Sequence, residues 1–197
     1  MKEVIEKSLE SALTYSEYRT LVSDLLEENK STGVNQSEAL YNYSFLNDRR
    51  MKRLDKTSKL TEDTLTKIKN VEEPQTWIVL TEGWCGDAAH NIPVLNKMAE
   101  ENPNIDLQLV LRDENLDLMD NFLTNGGRSI PKLIAVNKEN DVLFTWGPRP
   151  SVATKMIADY KEEHGVVDAD VKKDLQVWYN KNKGTNVQED ILSLLEN

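Results

Sequence analysis

The run Thr76-Trp77-Ile78-Val79-Leu80-Thr81 leaves the chain little conformational choice. It is apolar through its centre, rich in β-branched and aromatic side chains, and too short for a helix, so it reads as a buried strand. Pro74 marks the change of texture ahead of it, and Glu82-Gly83-Trp84-Cys85-Gly86-Asp87 follows. A helical stretch over about 86 to 101 comes next, with Ile92, Leu95 and Met98 at helical spacing and Pro93 placed to kink it. A second strand over Asp106 to Leu111 and a short helix around Leu116, Met119 and Phe122 make a βαβ unit with parallel strands. Asn125-Gly126-Gly127 ends that unit. After Ile130-Pro131, strands over Leu133 to Val136 and Val142 to Trp146 are joined by the turn Asn137 to Asp141, so this pair should be antiparallel.

The flanks read as helical. Thr14 with Glu17 and Asn35 with Glu38 have capping-box spacing, and Tyr18, Leu21, Val22, Leu25 and Leu26 form one apolar stripe. A short helix is predicted over about 36 to 46 and another after Thr61. Beyond the hairpin, Pro150 suits a first helical turn and His164-Gly165 a helix end; Val171 to Trp178 is a further helix, and Thr185 with Gln188 another capping box. The expected division is a helical extension over 1–70, an α/β domain over 71–165 and terminal helices over 166–197.

A net charge of −10 opposes general attraction to nucleic acid or anionic lipid. The exception is the basic run Arg49, Arg50, Lys52, Arg53 and Lys56, expected to be a solvated helix face. No apolar run reaches the roughly 20 residues of a membrane helix. The N-terminus carries acids where a secretory signal would be apolar, so a cytoplasmic location is expected. One cysteine, Cys85, and two histidines, His90 and His164, can make neither an internal disulfide nor a cysteine-histidine zinc site. No cofactor or metal is expected.

The Trp-Cys-Gly turn after the first buried strand, and the Ile-Pro before the third, make residues 74 to 165 resemble the thioredoxin superfamily. Trp84 to Asp87 and Trp146 to Pro150 resemble more closely a thioredoxin-like branch carrying Trp-Cys-Gly-Asp and Trp-Gly-Pro-Arg-Pro. The fold class implied is α/β: a thioredoxin-like central mixed β-sheet flanked by helices, with an N-terminal helical extension and extra C-terminal helices. The resemblance also implies that Cys85 is the attacking thiol and Pro131 a cis-proline beside it. Ile130 would offer backbone groups to a substrate, while Trp84, Gly86, Asp87, Trp146 and Gly147 would line the substrate groove. In such proteins a second cysteine resolves the mixed disulfide; here that position is Ala88, and the position of the usual buried acid is Val79.

The expected activity is therefore monothiol thiol-disulfide exchange through Cys85, with an external protein or low-molecular-weight thiol closing the cycle. A redox-inactive binding module for a peptide or protein is the alternative, and an iron-sulfur carrier a minor one. A cysteine opening a helix faces unpaired N–H groups that favour thiolate, whereas Asp87 opposes it, so a moderately depressed Cys85 pKa is expected. His90, five positions on, should be a surface residue turned away from the sulfur. Arg149 is either an exposed loop residue or a binder of an anionic partner.

Overall fold

The computed structural model describes residues 1–196. Four helices, α1 (Lys2–Leu9), α2 (Tyr15–Glu27), α3 (Glu38–Thr57) and α4 (Glu62–Lys69), precede strand β1 (Gln75–Thr81). Then come α5 (Gly86–Glu100), β2 (Ile105–Leu111), a 3-10 turn at Arg112–Glu114, the one-turn α6 (Leu116–Met119), and the hairpin of β3 (Lys132–Asn137) and β4 (Val142–Trp146). Helices α7 (Ser151–His164), α8 (Ala169–Asn182) and α9 (Thr185–Leu195) finish the described chain. None of these helices is long and apolar enough to cross a membrane.

The sheet order is β2-β1-β3-β4. β1 runs parallel to β2, Gln75 opposite Ile105 through Thr81 opposite Leu111, and antiparallel to β3, where Ile78 faces Ile134. β3 and β4 are antiparallel, with an irregularity at Ala135/Val136. Trp77, Ile78, Val79 and Leu80 are all inaccessible, as in a strand covered on both faces. The outer edge of β2 is covered too: Leu13 and Leu109 exchange two backbone hydrogen bonds of 2.8 Å, which closes an edge that would otherwise invite pairing with another chain.

Helix starts follow local chemistry, with two corrections. Thr14 and Glu17 form the complete capping box of α2. Asn35 does not cap α3; Ser37 does, its Oγ accepting from the Leu40 N–H at 3.2 Å. α9 begins after Gly184 with no side-chain cap, so the Thr185 box does not form. α3 is also 20 residues long and continues well past residue 46. Its buried face is Ser44, Asn47, Asp48, Met51 and Leu54, so polar groups interrupt the stripe that would have revealed the second half. Pro93 lacks the N–H that would reach the Ala89 carbonyl, yet α5 continues through it for 15 residues.

The flanking helices share the sheet's core. Ile5, Tyr18, Val22, Met51 and Ile68 before β1, and Val187, Ile191 and Leu192 in α9, pack in one cluster with the strand residues and α5. A smaller cluster of Ala153, Leu175 and Tyr179 joins α7 to α8.

Candidate functional site

β1 delivers the chain to a turn at Glu82–Cys85, and α5 starts at Gly86. Cys85 is the N-cap of α5: its Sγ lies 3.4 Å from the donating Ala88 N–H, and its thiol is 3.3 Å from the Ile130 carbonyl oxygen that accepts from it. The Ile130–Pro131 and Gly147–Pro148 peptides are both cis. Gly147 has φ +109, and a Cβ there would overlap the Pro131 carbonyl oxygen, so the exit of β4 and the Pro131 loop touch backbone to backbone.

The cysteine is covered, being 8% exposed. Burial pushes its thiol up to about 12, and the Asp87 carboxylate acts in the same direction. The Ala88 and Asp87 N–H groups and Arg149 favour thiolate but do not outweigh these effects. The expected moderate depression is therefore replaced by a rise, because the dipole argument omitted the cost of charging a sulfur that water barely reaches.

Asp87 accepts from Tyr179 Oη of α8 at 2.9 Å and pairs with Arg149 at 2.8 Å. Burial raises its pKa even so. Arg149 is thus not an exposed loop residue but a counter-ion of the turn. His90 is also corrected: it is 4% exposed, stacked on Tyr179 at 4.2 Å, with a ring nitrogen 2.9 Å from Gln176 Oε1. Burial, with help from Arg50 and Arg53, lowers its pKa to about 4. The helical arithmetic turned it away from Cys85; what covers that side is α8, which lies 86 residues further along the chain at Gln176.

Trp84 is half-buried beneath the Arg112 guanidinium, 4.8 Å from the ring centre, and Arg112 in turn holds Asp113. Ile130 and Trp146 are 6% exposed, and the Trp146 indole N–H donates to Asp190 of α9 at 3.0 Å. Cys85, Gly86, Asp87, Ile130, Pro131 and Gly147 therefore gather around one junction, while Trp146 is turned to α9.

Sequence reasoning missed Glu82, which is inaccessible. It accepts from Thr32 Oγ1 and, at 2.9 Å, from the Asp113 N–H. Burial raises its pKa. Thr32 Oγ1 also accepts from the Gly83 N–H at 2.7 Å, and Asn47 Nδ2 donates to the Gly83 carbonyl at 2.9 Å. A carboxylate directly after a strand with an apolar centre was the available signal; its partner 50 residues upstream was not visible.

A family model described as thioredoxin matches residues 33–161. The chain belongs to the thioredoxin family. The matched stretch begins well before residue 74, so it takes in α3 and α4, and it ends within α7. Among solved structures, this thioredoxin-family chain is similar to a Pseudomonas aeruginosa protein of unknown function (TM-score 0.60, 16% identity, 93% of this chain and 98% of that one). It is also similar to an HIV epitope-scaffold (TM-score 0.59, 16% identity, the same coverages). At that identity the likeness concerns the fold alone. No curated protein matches the chain significantly.

Proposed function

We propose that this chain is a monothiol thioredoxin-fold protein that performs thiol-disulfide exchange through Cys85. The observation carrying the reading is the seat of the sulfur: Sγ lies at the start of α5, between the Ala88 N–H and the carbonyl of Ile130 that precedes Pro131. There the developing thiolate finds a backbone donor in the Ala88 N–H, and the bend at Ile130–Pro131 is where a disulfide partner would approach it. In the forward step the thiol loses its proton to solvent, and the thiolate attacks one sulfur of the disulfide R–S–S–R. This forms Cys85–S–S–R and releases RS⁻. With alanine at position 88, a second external thiolate must attack the mixed disulfide, restoring Cys85 and carrying R away as a new disulfide. The raised thiol pKa makes exchange slow near neutrality and faster in base.

The cover over the sulfur favours a second reading, a thioredoxin-fold binding module that recognises a peptide or protein through the surface around Trp84 and leaves the thiol unused. Trapping decides between them. Exchange requires a mixed disulfide on Cys85 that Cys85→Ser abolishes, and full turnover by Cys85→Ser would overturn it. A partner whose binding survives Cys85→Ser but is lost in Trp84→Ala would establish the module.

A further inference from the structure

Arg50 forms no ion pair among the described residues. Its Nη1 donates to Asn47 Oδ1 at 2.7 Å, which holds the guanidinium over the start of α5, 3.8 Å from where a Cβ on Gly86 would lie. Gly86 directly follows Cys85. Arg53, one turn further along α3 and exposed, donates only to the neutral amide of Asn180, at 2.8 Å. Arg149 approaches Asp87 from the segment after β4. Arg50 and Arg149 thus act on one carboxylate, Asp87, which is already bonded to Arg149 and Tyr179, while Arg53 adds a further positive charge beside Arg50. His90 adds no charge, because burial, with Arg50 and Arg53, keeps it neutral near pH 7. The local excess is positive on a chain whose net charge is −10. Burial and Arg53 lower the pKa of Arg50, the direction expected of a cation short of counter-charge.

We propose that Arg50, with Arg53 and Arg149, binds the carboxylate of a low-molecular-weight disulfide that exchanges with Cys85. The inference rests on the exchange reading and names its substrate class. A guanidinium beside Gly86 offers planar, paired N–H donors matched to a carboxylate. A small partner fits better than a protein segment for two reasons. Cys85, Ile130 and Trp146 are all under 9% exposed, and the Ile130 carbonyl, which an extended peptide would need, already accepts from the Cys85 thiol. A short arm carrying a carboxylate approaches from the Gly86 side, where the Arg50 guanidinium lies, and needs no backbone pairing with Ile130.

The test uses the full chain and three disulfides of like size: dithiodipropionate, which is anionic, hydroxyethyl disulfide, which is neutral, and cystamine, which is cationic. Rates of mixed-disulfide formation on Cys85 are read by intact mass at about pH 9, where more thiolate is available. Each is divided by the rate for N-acetylcysteine amide under the same conditions. The anionic reagent should be preferred over the neutral one by about tenfold and the cationic one disfavoured, with the preference shrinking as salt is added. Arg50→Gln should cut the anionic-to-neutral ratio to about two, and Arg53→Gln, at an exposed position with little folding cost, should cut it about two- to threefold. Because the readout is a ratio within each variant, a general change in thiol reactivity cancels. A wild-type ratio near one, or a ratio unmoved by both substitutions, overturns the anion site while leaving exchange intact. Failure of all three reagents to modify folded Cys85 overturns the exchange reading and this inference together.

Discussion

Cys85 caps the helix that carries His90, and both are pushed toward their neutral forms by burial, so they leave opposite marks on stability. The Cys85 thiol titrates at about 12 in the folded chain and at about 8.5 when unfolded. Between those values the unfolded state has lost a proton that the folded state keeps, so stability falls as pH rises. Cys85→Ser should flatten this alkaline limb, by about 1.4 kcal/mol per pH unit above roughly pH 9, in urea titrations of both proteins. Tyr15 and Tyr179, whose raised pKa values have causes other than Cys85, shift the limb equally in both and cancel in the difference. For His90 the folded value is about 4 and the unfolded one about 6.5. Here the unfolded state gains the proton first, so stability falls as pH drops through this window. His90→Phe keeps a ring on Tyr179 and should flatten the acid limb by a similar amount per unit. An unchanged acid limb would mean that His90 is charged in the fold.

At the scale of elements, α3 and the loop before it act on the turn. Asn47 holds the Gly83 carbonyl, while Thr32 bridges Glu82 and the Gly83 N–H. Asn47→Ala leaves a buried carbonyl without its donor and should cost about 1–3 kcal/mol. It should also raise the rate of Cys85 alkylation near neutrality by loosening the cover, measured with iodoacetamide on folded protein. Within α3 itself, Asp48 is 7% exposed at its side chain and pairs with Arg19 of α2 and Lys52, each at 2.8 Å. Arg19→Ala removes the buried partner and should destabilise by about 3–5 kcal/mol in chemical denaturation. These polar contacts explain why α3 was only half legible. The apolar stripe of α2 announced itself by spacing, whereas α3 buries serine, asparagine and aspartate that become favourable only once Arg19 and Gly83 meet them. β1, α5 and the β3–β4 hairpin were readable because each carries its signal in consecutive residues.

For the molecule as a whole, one core joins the first helix to the last. Ile5 and Ile191 are both inaccessible and belong to the cluster built on β1. Ile191→Ala should therefore cost about 2–5 kcal/mol, as deep in the sheet, and calorimetry should still record a single transition. Two transitions would mean that the terminal helices melt on their own.

The sequence by itself determined the strand order along the chain, the turn with its one sulfur, and the absence of an internal resolving thiol, because each is a matter of residue type over short spans. Membership of the thioredoxin family was legible in the same way, from two local motifs in order. The protonation of that sulfur was decided by the tertiary structure. Dipole and hydrogen bonds act locally and can be read from the chain, but desolvation depends on everything packed around the site. Ile130, Arg149 and Tyr18 of the extension meet Cys85 only after folding. The same holds for Glu82 and His90, whose partners lie on other elements and whose charge states therefore have no local sequence signal.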